Sequence, residues 1–430
     1  MKGVYMEEEK LLPRRWGILI GMTCVLVAIQ FNNILPGGAA VVTIMQYGIT
    51  PMEFSMIMSA SYFTGFLFAI AAGVMADRWG MNKVLLSGFF IALAGSVLRI
   101  FSIGNFPMIM ASMVIMGFGV AVLNANSAKL LRDWFPGRSN SVAMGVYTAG
   151  MSLGAAVAIW YGSRLDPATA TGSDLQSVWI VGSVLIVIGI IAWIICYRDH
   201  PSLKLQTEPI GKYLKEVLKN PAVWGVSIFA FFGFGMTAIN GNYMVAAVTT
   251  LAGDPSAQID AGNMSTINTV IAAVASMALP AVFATFCKNL RVPVITCALI
   301  TGVCFAVVFF LPYGPLTWVC FLIQPLAMAS IMPFVKIAPT LLPNVKREDL
   351  GAIGGIQATF QNLGMSLIGS YVISPLAIVA SGVQDGLPYY QAVYVGIGIL
   401  CVILCLSLFL FPNVPSSMDR KLALDKEKSA

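Results

Sequence analysis

Amide side chains recur inside long apolar stretches of this 430-residue chain, and they are the residues best placed to do chemistry. Asn32 and Asn33, preceded by Gln30, come just before a Pro36-Gly37-Gly38 break. Asn124 and Asn126, Asn240 and Asn242, and Gln324 stand in later stretches, and Gln357 and Gln361 are spaced to share one helix face. Polar groups at bilayer depth are costly, so as a set these amides are candidates for contact with a polar solute. For any single one the competing role is a hydrogen bond between helices. Lys129 and Lys336 would each attract an anion, but each is near a stretch end, where the ammonium can snorkel to water. Arg99 lies deeper and is expected to hydrogen-bond structurally.

Absent residues narrow the chemistry further. No Asp or Glu lies in the central part of any apolar stretch, Glu53 stands at an edge, and the one histidine, His200, is in a polar segment. A proton relay of carboxylates or imidazoles is hard to build from that inventory, and a cation would lack a counter-charge. Neutral amides with a few cations suit an anionic or small neutral polar solute, moved by exchange or facilitated diffusion. The chain has neither G-x-x-x-x-G-K-[ST] nor H-E-x-x-H, and one histidine is too few for a haem-bearing membrane oxidoreductase. Its eight cysteines lie in or beside apolar stretches without paired spacing, which reads as structural thiols. Neither an enzyme nor a cofactor or metal site is expected.

Only a membrane lets the chain position these residues. Hydrophobic residues make up 58% and charged residues 10%, against roughly 25% charged in a soluble domain. Twelve runs approach the ~20 residues a helix needs to span hydrocarbon: 16–38, 52–76, 84–103, 107–131, 139–161, 177–197, 221–250, 261–285, 293–311, 315–342, 351–380 and 389–411. The first run is too long for a signal-peptide core and reads as a retained span. Alternate loops carry 23 of the 25 basic residues on one side, with Arg99 and Arg164 toward the other. That asymmetry predicts cytoplasmic amino and carboxyl ends in an inner or plasma membrane. The layout predicts a six-helix bundle at 1–197, a cytoplasmic linker at 198–220, a second bundle at 221–411 and a tail at 412–430. Matched spacings, such as Asn32 to Asp77 and Asn240 to Thr285, suggest that the halves are duplicated.

Between the second and third runs lies Gly73-Val74-Met75-Ala76-Asp77-Arg78-Trp79-Gly80-Met81-Asn82-Lys83. The helix is expected to end, turn and re-enter the membrane here, with glycines easing the turn. The pattern G-x-x-x-D-R-x-G-x-x-K resembles the signature loop of the major facilitator superfamily, and the six-linker-six layout extends that resemblance over essentially the whole chain. It implies an all-α integral membrane fold of about twelve spans in two pseudo-symmetric bundles around a central path. It also assigns Gly73, Asp77, Arg78, Gly80 and Lys83 to a gating network. Met75 replaces the usual leucine, and Met81 and Asn82 replace basic residues, so a weaker network is implied. The second copy, at Ala281, Thr285, Phe286, Lys288 and Arg291, has lost the acid.

A second segment, Trp134-Phe135-Pro136-Gly137-Arg138 followed by Gly145, Gly150 and Gly154, is similar to that of the family's carriers for organic anions, cyanate-like and nitrate-like solutes. The nitrate carriers' intramembrane arginines in spans two and eight are missing. The family lines its cavity with spans one, four, seven and ten, where most of the amides, Lys129 and Lys336 fall. These readings predict a monomeric carrier of a small solute, most simply an anion, partnered by the bilayer and by no nucleic acid. The alternatives are an efflux carrier for hydrophobic drugs, for which 23 methionines and 25 phenylalanines could line an adaptable pocket, and a transporter-like sensor.

Overall fold

The computed structural model describes the backbone at 2–135, 139–198, 218–286, 291–328 and 350–410. Fourteen α-helices are named here: α1 (Lys2–Gly38), α2 (Ala40–Tyr47), α3 (Pro51–Trp79), α4 (Met81–Ile100), α5 (Phe106–Trp134), α6 (Ser139–Gly162), α7 (Gly172–Cys196), α8 (Pro221–Ala252), α9 (Gln258–Phe286), α10 (Arg291–Val308), α11 (Pro315–Met328), α12 (Leu350–Leu367), α13 (Ser374–Ser381) and α14 (Leu387–Ser407). A π-helical turn, Ile368–Ile373, joins α12 to α13. Among the described residues nine helical segments are long and apolar enough to cross a membrane. The fold is that of a multi-pass membrane protein, and the expected runs fall on its helices wherever they are described, 329–342 lying outside the described residues.

Local chemistry explains where the helices begin. Thr50 and Glu53 form a reciprocal capping box ahead of Pro51 in α3, so two otherwise orphaned backbone donors are satisfied. Asn105 accepts from the N–H of Met108 at 3.0 Å, and Asn220 from that of Ala222 at 3.0 Å, to start α5 and α8.

The expected loop at 73–83 is much shorter in the structure. Helix α3 runs through Gly73, Asp77 and Arg78 to Trp79, and a single residue, Gly80 at φ 95°, breaks it from α4. One glycine in a conformation that other residues avoid is enough to reverse the chain. Gly73 is therefore a helical residue, with open space where a Cβ would project. The Pro36-Gly37-Gly38 segment likewise stays helical to Gly38 before the short α2.

Two hydrophobic cores form. One is centred on α1, α3–α5 and α7, with Trp179 and Trp193 wholly buried; the other on α8, α10 and α14, with Phe229, Tyr243 and Tyr394. Glycines let helices within a half approach closely: a Cβ on Gly154 would stand 2.6 Å from the Val27 carbonyl of α1, and one on Gly150 would meet Thr23. The halves touch along α3 against α12, and α6 against α9. The cores thus leave a seam between them, and polar side chains lie along it.

Candidate functional site

Within the first half, Asn32 is the centre of a buried knot. Its Nδ2 donates to the Ala28 carbonyl at 3.1 Å and the Gly182 carbonyl at 2.5 Å. Its Oδ1 accepts from Ser96 at 2.8 Å and from Arg99 Nη2 at 2.6 Å, while Arg99 Nη1 donates to the Asn32 carbonyl at 2.8 Å. The guanidinium lies 4.7 Å from the Trp179 ring centroid, a cation–π arrangement. A Cβ on Gly182 would stand 2.5 Å from Asn32 Oδ1, so glycine is what lets α7 come this close. Every donor and acceptor of the Asn32 side chain is committed. Asn32 therefore serves as scaffold here, and Arg99 has the hydrogen-bonding role expected of it.

Between the halves, neutral side chains and the exposed Arg164 join one end of the molecule. Ser370 pairs with Ser55 at 2.9 Å and donates to Ser59 at 2.9 Å, while Asn242 reaches Ser55 at 3.4 Å. Arg164 donates to Asn263 at 2.6 Å. Gln258 accepts from the N–H of Val41 at 3.2 Å and donates to the Leu165 carbonyl at 2.6 Å. Behind the serines, Tyr243 hydrogen-bonds Ser374 and accepts from Tyr389 at 3.1 Å, and Tyr394 donates to Asn240 at 3.3 Å. This end is the one remote from Arg78, Gly80 and Lys83. The π-turn adds a residue to the helical turn beside Ser370 and Ser374, the kind of irregularity found at sites of function.

The other sequence-predicted amides divide by what they touch. Asn126 ties α5 to α3, donating to Ala72 at 3.4 Å and Val122 at 2.9 Å. Gln324 accepts from Asn268 at 2.7 Å and donates to Met328 Sδ at 3.3 Å, inside the second half. Asn33 accepts from Ser61 at 2.5 Å, but its Nδ2 has no partner. Asn124 and Lys129 are half-buried on α5, and Gln357 and Gln361 are buried on α12. Lys336 lies outside the described residues.

At the basic end, Arg78 and Lys83 are exposed and line an open recess with Trp79, Val84 and Ser87. The backbone of Asp77 is helical, and its side chain lies outside the described residues. Sequence reasoning passed over the serine pairs of the seam, Asn268, and Asn362, which is buried with neither amide atom partnered. Asn362 directly follows Gln361, but the four-residue spacing to Gln357 drew attention to the neighbouring face. A serine in an apolar helix carries no distinctive sequence signal at all.

Comparison with known proteins agrees with this architecture. A family model described as Major Facilitator Superfamily matches residues 20–369. The 4-hydroxybenzoate transporter PcaK of Pseudomonas aeruginosa is 23% identical over 163 residues, 38% of this chain and 36% of that one. The probable nitrate/nitrite transporter NarK2 of Mycobacterium tuberculosis is 23% identical over 219 residues, 50% of this chain and 53% of that one. The chain thus spans about a third to a half of the length of these relatives. A bacterial homologue of the human lysosomal transporter Spinster, solved inward-facing and unoccupied, superposes with a TM-score of 0.74 at 15% identity, covering 93% of this chain and 97% of that one.

Proposed function

This chain belongs to the major facilitator superfamily, and from that premise we propose that it carries a small organic or inorganic anion across a membrane by alternating access. It is a transporter and not an enzyme. The observation that carries the anion reading is the half-buried Lys129 on α5, the helix that also bears Asn124, in a chain whose apolar runs hold no acidic side chain in their interiors. A cation set among apolar helices favours an anion, and amides can replace part of that anion's water shell. Relatives named for 4-hydroxybenzoate and for nitrate and nitrite support the same class.

The solute would meet Asn33, Asn124, Lys129, Asn240, Gln357 and Gln361, with Lys336 drawing it inward; Asn32, Asn126 and Gln324 hold helices together, and Asn242 belongs to the seal. The placement of basic residues assigns Arg78, Lys83 and both chain ends to the cytoplasm. The serine-joined end then faces outward, and the conformation described is closed outside. Gly80 would hinge the gate at which Asp77, Arg78 and Lys83 act, with Gly73 flanking them. Substrate shifts the balance between the two open states only by binding them differently.

The test is a thermal-stabilisation screen of purified protein with nitrate, 4-hydroxybenzoate, a hexuronate, organic cations and apolar drugs. Anions should raise the melting midpoint through mass action, and Lys129→Ala should abolish the rise. Stabilisation by drugs or cations alone would defeat the proposal. An anion response unchanged in both Lys129→Ala and Lys336→Ala would reduce those lysines to snorkels.

A further inference from the structure

Asn362 faces the first half across the seam. A Cβ on Gly65 of α3 would stand 3.3 Å from its Cγ and 3.4 Å from both Nδ2 and Oδ1. Those near-equal distances place Gly65 over the flat face of the amide. The edge that carries the N–H bonds and the oxygen lone pairs therefore points along the seam and not into α3. The side chain is wholly buried, and neither Oδ1 nor Nδ2 has a hydrogen-bond partner. Eight residues further along, about 12 Å of helix, Ser370 is paired with both Ser55 and Ser59.

Buried polar atoms are almost always hydrogen-bonded, and in a membrane interior water cannot make up the loss. An amide left unpaired at both ends is tolerated where a partner arrives in another conformation. The seam supplies that conformation. Parting α3 from α12 at the serine end separates the serine pairs, while Asn242, Arg164 and Gln258 release their cross-seam bonds, and this opens a way down to the amide edge. We infer that Asn362 is a solute-contacting residue of the outward-open state, its N–H bonds meeting an oxyanion and its Oδ1 accepting from a hydroxyl or water. The inference rests on the alternating-access reading above. It adds a contact from the second half that is closed off in the conformation described.

The experiment places Asn362→Cys in a cysteine-free chain in whole cells and adds an impermeant anionic methanethiosulfonate from outside. Labelling should proceed, and should fall about tenfold, ~1.4 kcal/mol in the accessible population, when Ser55→Cys and Ser370→Cys are oxidised to clamp the seam. No labelling, or labelling indifferent to the clamp, overturns the inference. Gly355→Cys, two turns toward the basic end on α12 with open space beside it, is the control in inverted vesicles. If the clamp does not raise its labelling, alternating access itself fails; if only Asn362→Cys misbehaves, the assignment of Asn362 alone falls. Asn362→Leu removes both unpaired atoms, so the protein should melt no lower than wild type, while stabilisation by nitrate or 4-hydroxybenzoate drops several-fold. A lower melting midpoint with stabilisation intact would show a packing amide and overturn the assignment.

Discussion

The Asn32–Arg99 knot and the α3–α12 seam bury polar groups at similar helix interfaces, yet they are built on opposite plans. In the knot a charged guanidinium, an amide and two serines hydrogen-bond one another across α1, α4 and α7, with Arg99 Nε alone of the guanidinium nitrogens lacking a partner. Such a cluster is costly to disturb once one member is removed, which suits helices that stay together. In the seam the pairs are neutral hydroxyls, each worth little, and one amide is unpaired. Under the alternating-access proposal, an interface that parts on every cycle is better held by groups whose separation strands no buried charge. The difference lies in what holds each interface: the knot joins its helices through a charged group, and the α3–α12 seam joins them through neutral hydroxyls.

That contrast is open to direct attack. Asn32→Ala leaves the Arg99 cation buried beside an unfilled acceptor position, and stability should fall by about 3–5 kcal/mol, read as a drop in melting midpoint in detergent. A loss under 1 kcal/mol would mean that the knot holds little. Gly182→Ala pushes a methyl group against Asn32 Oδ1 and should cost about 1–3 kcal/mol in the same assay, with Asn32→Ala partly masking the effect in the double variant. Ser370→Ala acts on the seam. It removes roughly 1 kcal/mol from one conformation only, so the melting midpoint should barely move while the outward-open population rises about fivefold. Spin labels on Met45→Cys and Ser256→Cys, both exposed at the serine end, would report that rise as a longer distance. Asn126→Ala, an ordinary helix-to-helix bond within one half, should cost about 0.6 kcal/mol and leave the label distances unchanged.

Much of this was legible before any coordinates. The apolar runs, the one-sided distribution of Lys and Arg and the G-x-x-x-D-R-x-G-x-x-K pattern led to the multi-pass architecture and the family because each reflects a rule of the lipid solvent or a local motif. The candidate site was legible only as a list of amides. Asn32, Asn33 and Gln357 look alike in sequence, although Asn32 is saturated, Asn33 has an unpaired amino group and Gln357 lies on the helix that forms the seam. The turn at Gly80 was read too generously because several glycines invited a loop, whereas one positive φ suffices.

Composition by itself determined that this chain lives in lipid and that the polar groups its apolar runs offer are amides and a few cations. Only the tertiary structure decided that Asn32 is saturated while Asn362 has no partner. Hydrogen bonding in a dry interior is settled by atoms within about 3 Å of each other, and that proximity joins residues more than 300 positions apart, such as Ser55 and Ser370, which no local pattern records.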